Sequence, residues 1–256
     1  MTQDNFFRVD LLRSTPNPQS LIWFAAHNDY SPKYIVEEIE EGKFNHGEKW
    51  HGEKVIEKLL GSNRGHYGPL EHACLTIGAG YFPHCVISQL RTHRIASFDV
   101  QSFRYTGQQL VQLWEEYLDH NNYDKLFQDV EKFFYFRPCD SKYSYKKTGR
   151  YFYDKEWRDS HKRRAIEQLK GYYEDIKKGM SMEHARSYLI YDYRQHFVMT
   201  VNLRSAFHIL DLRSKKDAQY EITEFSRLFL EALKGWSPEL INWYEEKRNK
   251  KAILSP

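Results

Sequence analysis

The sequence has little of what marks secreted, membrane-spanning or dinucleotide-fold proteins. Its three cysteines, Cys74, Cys85 and Cys139, are odd in number and show no C-x-x-C spacing. That argues against a disulfide framework and points to a reducing compartment. No stretch approaches the roughly 18 consecutive apolar residues of a membrane span. The opening MTQDNFFRVDLL has neither the basic region nor the apolar run of a signal peptide. The expected location is the cytoplasm, with no membrane partner. G-x-G-x-x-G and P-loop runs are also missing, so a bound nucleotide needs a cradle other than the usual glycine-rich turns. His66, Glu71, His72, Cys74, His84 and Cys85 lie near one another in sequence, but without C-x-x-C or H-E-x-x-H spacing no metal site is expected.

Aromatic residues are plentiful, at 16% of 256 residues with 19 Tyr and 16 Phe. Rings offer large contact areas, and Tyr adds a polar tip. This suits subunit interfaces and flat ligands, and a Tyr-rich core nearly as well. The net charge of +3 is too small to imply nucleic acid by itself. It is unevenly spread: between Ser141 and Lys170 ten Lys/Arg face four Asp/Glu, a local surplus of +6. Such a surface attracts phosphates. A rival reading therefore makes segment 141–170 the stacking platform of a single-stranded nucleic-acid-binding protein.

Periodicity predicts helices over Gln19–Asn28 and Glu48–Leu60, and a strand over His72–Tyr81. Pro83 suits the first turn of a helix through Val86, Ile87 and Leu90, and a strand or loop follows over Ser97–Tyr105. Gln108–Tyr135 reads as helical, Lys142–Tyr153 as a loop or hairpin, and Asp159–Lys178 as an amphipathic helix. Ser181 can cap a further helix from Met182, with Arg186 at the pitch of its inward face. A short strand over Phe197–Asn202 and helices over Ser205–Leu212 and Ala218–Leu233 complete the pattern. Helices interleaved with a few strands, without βαβ spacing or linkers, predict one α+β domain: a small antiparallel sheet among long helices.

The densest chemistry lies between Gln89 and Tyr105, where Arg91, His93, Arg94 and Arg104 stand among Ser97, Ser102, Asp99 and Gln101. Arginine forks and hydroxyls suit phosphate or carboxylate, and a solvated helix end with ion pairs is the plainer alternative. Ser102 with His93 hints at a nucleophile and base, but no G-x-S-x-G elbow supports it. A second cluster spans Thr200–Arg213. There Arg204 and His208, four apart, share a helix face, and Arg213 sits where the helix dipole favours a cation.

Residues 92–105, THRIASFDVQSFRY, closely resemble the signature of the flavin-dependent thymidylate synthase family: Arg-His-Arg, two variable residues, Ser, one variable, Asn, two variable, Ser, one variable, Arg-Tyr. His93, Arg94, Ser97, Ser102, Arg104 and Tyr105 fall in register. GHYGPLEH at 65–72 is similar to the family's His-x-x-Pro-Phe-Glu-His element, and TVNLRSAFHILDLR at 200–213 to its C-terminal element. The resemblance implies reductive methylation of deoxyuridine monophosphate (dUMP) to thymidine monophosphate. 5,10-Methylenetetrahydrofolate would give the methylene group, and FAD, reduced by NADPH, the hydride.

By the same resemblance dUMP is held by Gln89, Arg91, Gln101, Ser102, Arg104, Arg186 and Arg213. Arg213 faces the pyrimidine as a catalytic charge stabiliser, and Ser102 acts in catalysis as a positioning hydroxyl. FAD is contacted by His66, Thr92, His93, Arg94, Asn202, Arg204 and His208. The resemblance also implies a homotetramer with active sites at subunit interfaces, and no nucleic-acid partner. Thr92 departs from the signature arginine, with Arg91 beside it able to take over the charge. Asp99, Val100 and His208 depart too. Residues 106–179 match poorly and form an enlarged middle segment.

Overall fold

The computed structural model describes residues 4–61, 65–145 and 149–251. The chain is α+β, with small antiparallel sheets among helices, as the sequence pattern predicts. Strands β1 (Arg8–Ser14), β2 (Cys74–Pro83), β3 (Ser97–Val100) and β6 (Arg194–Asn202) form one sheet in the order β1-β2-β6-β3. Strands β4 (Ser141–Tyr145) and β5 (Gly149–Tyr153) form an antiparallel hairpin with Ser141 opposite Tyr153. Of the loop or hairpin expected over Lys142–Tyr153 the described residues form a hairpin, and residues 146–148 lie outside them. Two compact units are resolved, and boundaries between them fall inside β1, β2, β3 and β6.

One unit comprises residues 9–78, 90–98 and 198–256. Its first helix, α1 (Pro18–Asn28), starts with Pro at N1 after Asn17, whose left-handed φ of 47° leaves the side chain without a capping bond. The cap comes from elsewhere. The Glu48 carboxylate, at the start of α3 (Glu48–Val55), accepts from the backbone N–H of Gln19 (2.9 Å) and Ser20 (2.8 Å). A carboxylate over a helix N-terminus satisfies orphan donors and the dipole together. The buried Gln19 carboxamide donates to the Glu48 carbonyl and the Glu239 carboxylate and accepts from Ser237 and Leu240. Gly52 permits this approach, because a Cβ there would stand 2.7 Å from the Gln19 side chain. The core gathers Leu203, Phe207 and Leu210 of α10 (Leu203–Arg213), Phe225 and Phe229 of α11 (Tyr220–Trp236), and Tyr244 of α12 (Pro238–Lys247), all buried.

The other unit comprises residues 1–8, 79–89 and 99–197. Its core packs α6 (Gln108–His120), α7 (Tyr123–Asp129) and α8 (Lys155–Lys177) around Leu110, Trp114, Leu126, Phe134, Ile166 and Tyr172. The single helix expected over Gln108–Tyr135 is broken. Asn121 turns left-handed (φ 46°), and the Asn122 side chain accepts from the Lys125 N–H to start α7. Helix α8 begins earlier than its apolar periodicity suggests, because Asp154 caps it through the Trp157 N–H at 2.7 Å. Glu131 binds both Arg158 and the buried Lys162, and Arg194 pairs with Asp4.

Part of the middle segment's aromatic and basic character is spent within the fold. Tyr143 and Tyr153 are buried, and Arg158 and Lys162 answer Glu131. That rival reading finds no support.

Candidate active site

Within the unit of residues 9–78, 90–98 and 198–256, the first residues of the signature, Thr92 and His93, meet α10. His93 sits in a turn closed by its N–H on the Leu90 carbonyl, and its ring is 5% exposed. The Arg213 guanidinium, in the last turn of α10, donates through Nε to His93 Nε2 (2.9 Å) and through an NH2 nitrogen to Thr92 Oγ1 (2.9 Å). The His208 ring stands edge-on to His93, with centroids 5.5 Å apart at 82°. Burial, reinforced by Arg213 and then His208, pushes the His93 imidazole down to about 4. The ring is therefore neutral at physiological pH and presents Nε2 as a lone-pair acceptor, which requires the proton on Nδ1. The result is a guanidinium fixed at two points with its charge intact.

Asn202 caps α10 by accepting from the Ser205 N–H at 2.8 Å. Arg204, 40% exposed, pairs with Glu71 at 2.5 Å. Exposed His66 faces Asp29 at 3.2 Å. Arg91 and Arg94 are exposed and carry no ion pair among the described residues. The donor set is thus rich in guanidinium and amide groups, with Glu71 the carboxylate paired to Arg204. That chemistry fits a ligand with a pyrophosphate and a heteroaromatic edge, which is what FAD presents.

The other unit holds Gln89, Gln101, Ser102, Arg104 and Arg186. Ser102 stands at the start of the short helix α5 (Phe103–Thr106). Its exposed hydroxyl has no hydrogen bond among the described residues. No base activates it, and His93 Nε2 is occupied by Arg213. A nucleophilic role finds no geometric basis. Arg104 stacks on Tyr105 (4.8 Å to the ring centroid) and reaches the Glu183 carboxylate at 3.8 Å. Arg186 donates through Nε to the Glu183 carbonyl at 3.2 Å. Two guanidinium groups therefore converge on one residue of α9 (Met182–Ala185), and the single carboxylate leaves surplus positive charge for an anion.

One sequence expectation needs adjustment here, and two glutamines have protein partners of their own. Arg186 does not lie on an inward helix face: α9 stops at Ala185, Arg186 opens a 3-10 turn, and its side chain is exposed. Gln101 uses its side-chain oxygen on the His196 N–H (3.3 Å) and its backbone carbonyl on the Gln195 amide (3.1 Å), as part of the strand edge. Gln89 turns back onto the Cys85 carbonyl of its own helix, α4 (His84–Leu90). Glu183 and Glu71, which position arginines, were missed.

The family model for thymidylate synthase complementing protein matches residues 10–239. The chain belongs to that family. A flavin-dependent thymidylate synthase of Haloarcula marismortui is 29% identical over 97% of this chain and 99% of its own. One from Pyrococcus abyssi is 31% identical over 88% of this chain and 78% of its own. Among solved structures, thymidylate synthase X from Helicobacter pylori, determined with FAD and dUMP, superposes with a TM-score of 0.68 at 17% identity, covering 92% of this chain and 97% of its own. The UMP/dUMP methylase PolB of Streptomyces cacaoi, bound to 5-Br dUMP, gives 0.72 at 18% identity over 98% and 97%. The three elements at 65–72, 92–105 and 200–213 all fall inside the family match, so membership and local geometry concern the same residues.

Proposed function

We propose that this chain reductively methylates dUMP to thymidine monophosphate, with 5,10-methylenetetrahydrofolate as methylene donor. FAD, once bound and reduced by NADPH, supplies the hydride. The observation that carries the reading is the Arg213 guanidinium held by neutral His93 and Thr92. A cation locked before the substrate arrives lowers the cost of developing negative charge on the pyrimidine, because no reorganisation is needed at the moment of reaction. Were His93 protonated it would repel Arg213 and lose its acceptor nitrogen, so the depressed basicity of His93 is part of the device.

Arg104 and Arg186 are assigned to the dUMP phosphate, with the free Ser102 hydroxyl beside Arg104 in sequence orienting the nucleotide. Arg94, Arg204, Asn202, His208, His66 and Thr92 are assigned to FAD, with His93 shared between the flavin side and Arg213. Arg91, exposed next to Thr92, supplies the charge that the signature places one position later. The assembly is proposed as a homotetramer whose sites draw on more than one subunit, working in the cytoplasm. Among the described residues no helix is long and apolar enough to cross a membrane. A single working domain is proposed because four strands each contribute residues to both compact units.

The test is an anaerobic absorbance spectrum between about 350 and 500 nm, the range of the flavin chromophore. A bound flavin should bleach with NADPH and recover on adding methylenetetrahydrofolate and dUMP. A protein that takes up no FAD, or whose reduced flavin ignores both substrates, would overturn the assignment.

A further inference from the structure

A cavity of about 460 Å³ lies wholly within the unit of residues 1–8, 79–89 and 99–197, and it shares no residue with the sets above. One wall is a face of α8: Trp157, His161, Arg164 and Gln168 follow at spacings of four, three and four, which superpose along a helix. Tyr151 and Tyr153 of β5 form its flank. Residues 135–137 and 190–192 close the opposite side, held together by the Tyr135 N–H on the Asp192 carbonyl and the Phe134–Tyr193 bridge. The volume falls within the usual range for small-molecule sites, about 300–1,000 Å³.

The lining has a definite chemical character. Trp157 is 45% exposed and Tyr191 59%, large rings left uncovered on either side of the opening. Arg137 is anchored, donating to the Tyr151 hydroxyl at 2.7 Å. Arg164, three residues beyond His161 on the same helix face, is exposed and has no hydrogen bond or ion pair among the described residues. His161 holds the Tyr153 hydroxyl at 3.0 Å. Burial raises Tyr153 to about 12, so the phenol keeps its proton, and burial together with Arg164 and Arg137 lowers His161. That leaves His161 an uncharged hydrogen-bonding group. Asp192 is the one carboxylate of the lining, against two arginines.

Uncovered rings, a spare guanidinium and a neutral histidine in one concavity are the elements that recognise a flat ring carrying a negative group. We propose that this cavity is a second ligand site, independent of the thymidylate reading, for a planar aromatic anion: the ring lies against Trp157 and the tyrosines, and the phosphate or carboxylate on Arg164. A nucleoside monophosphate and an aromatic amide bearing carboxylates, such as the tail of a folate, both carry this chemistry.

The test uses full-length protein saturated with FAD and dUMP, titrated calorimetrically with AMP in one arm and with 4-aminobenzoylglutamate in the other. Saturable binding of either at one site per chain is expected. Arg164→Gln should weaken it on the order of tenfold, the loss of a charge-assisted hydrogen bond, and Trp157→Phe should largely preserve it. Both variants should keep the flavin spectrum and turnover without added ligand. The arm that binds identifies the source of the anion. Binding of neither probe, or binding indifferent to Arg164→Gln, would overturn the site. Loss of flavin uptake would be seen separately by absorbance and bears on the thymidylate reading alone.

Discussion

The two compact units treat their functional residues differently. In the unit around α10, Thr92, His93, Asn202, Arg204 and Arg213 are each engaged by a neighbouring side chain or backbone group, and His93 is buried. In the other unit, Ser102, Arg104 and Arg186 are exposed: Arg104 has a 3.8 Å ion pair, stacks on Tyr105 and donates to its hydroxyl at 2.5 Å, Arg186 has one hydrogen bond to a carbonyl, and the Ser102 hydroxyl has none among the described residues. The first arrangement is preorganised, so its charge is already aimed. The second leaves arginine rotamers to be ordered by the ligand, at an entropic cost met from the phosphate interaction itself. Charge stabilisation in a transition state benefits from the former. Reversible capture of a substrate phosphate tolerates the latter.

The contrast predicts effects of decreasing size. Arg213→Ala should lower kcat for thymidylate formation by about two to three orders of magnitude or more, while flavin absorbance of the purified variant stays largely intact. Full activity in that variant would remove the central role from the braced cluster. Arg104→Ala and Arg186→Ala should each act mainly on KM for dUMP, raising it on the order of tenfold with a smaller change in kcat. A pure kcat effect would mean that the exposed pair is as preorganised as the buried one. Steady-state kinetics against dUMP concentration separates these outcomes.

Acid should discriminate between the units as well. His93 is depressed from 6.5 to about 4, so between those values the unfolded chain binds the proton that the folded chain refuses. Its contribution to stability is complete above about pH 6.5 and is lost progressively as pH falls toward 4, by at most about 3 kcal/mol. His93→Gln should flatten the pH dependence of Tm across that window, and an unchanged slope would refute the neutral-imidazole account. Smallest is Asn122→Ala, which removes the cap of α7 and should cost about 1 kcal/mol. Thermal unfolding should fall by a few degrees with dUMP kinetics unaltered.

Much of the braced cluster was legible in the sequence, because its members crowd into two short segments, 92–94 and 202–213, whose order and spacing follow the family pattern. What could not be read was how they are held. The Arg213–His93 bond joins residues 120 apart, and no periodicity signals it. Strand β1 escaped notice because its side chains are mostly exposed and do not alternate cleanly. The break at Asn121 was hidden by apolar residues that continue on both sides of it, in Leu113, Trp114, Leu126 and Val130. Arg186 was misplaced for a related reason: helical pitch was extended past Ala185, where the helix stops. The cavity beside α8 draws on four separate stretches, and its α8 stretch is the one with a helical repeat.

The Gln19 carboxamide has a consequence for how the chain is made. It lies fully buried and depends on Glu48, about thirty residues on, and on Ser237, Glu239 and Leu240, more than two hundred residues on. Until those late residues leave the ribosome, a docked α1 would carry an unanswered amide into a dry interior. The first helix to be synthesised is thus among the last that can be completed. A nascent chain stalled before Ser237 should leave α1 open to protease and to chaperones, while the helices of residues 108–177 have their partners already in hand.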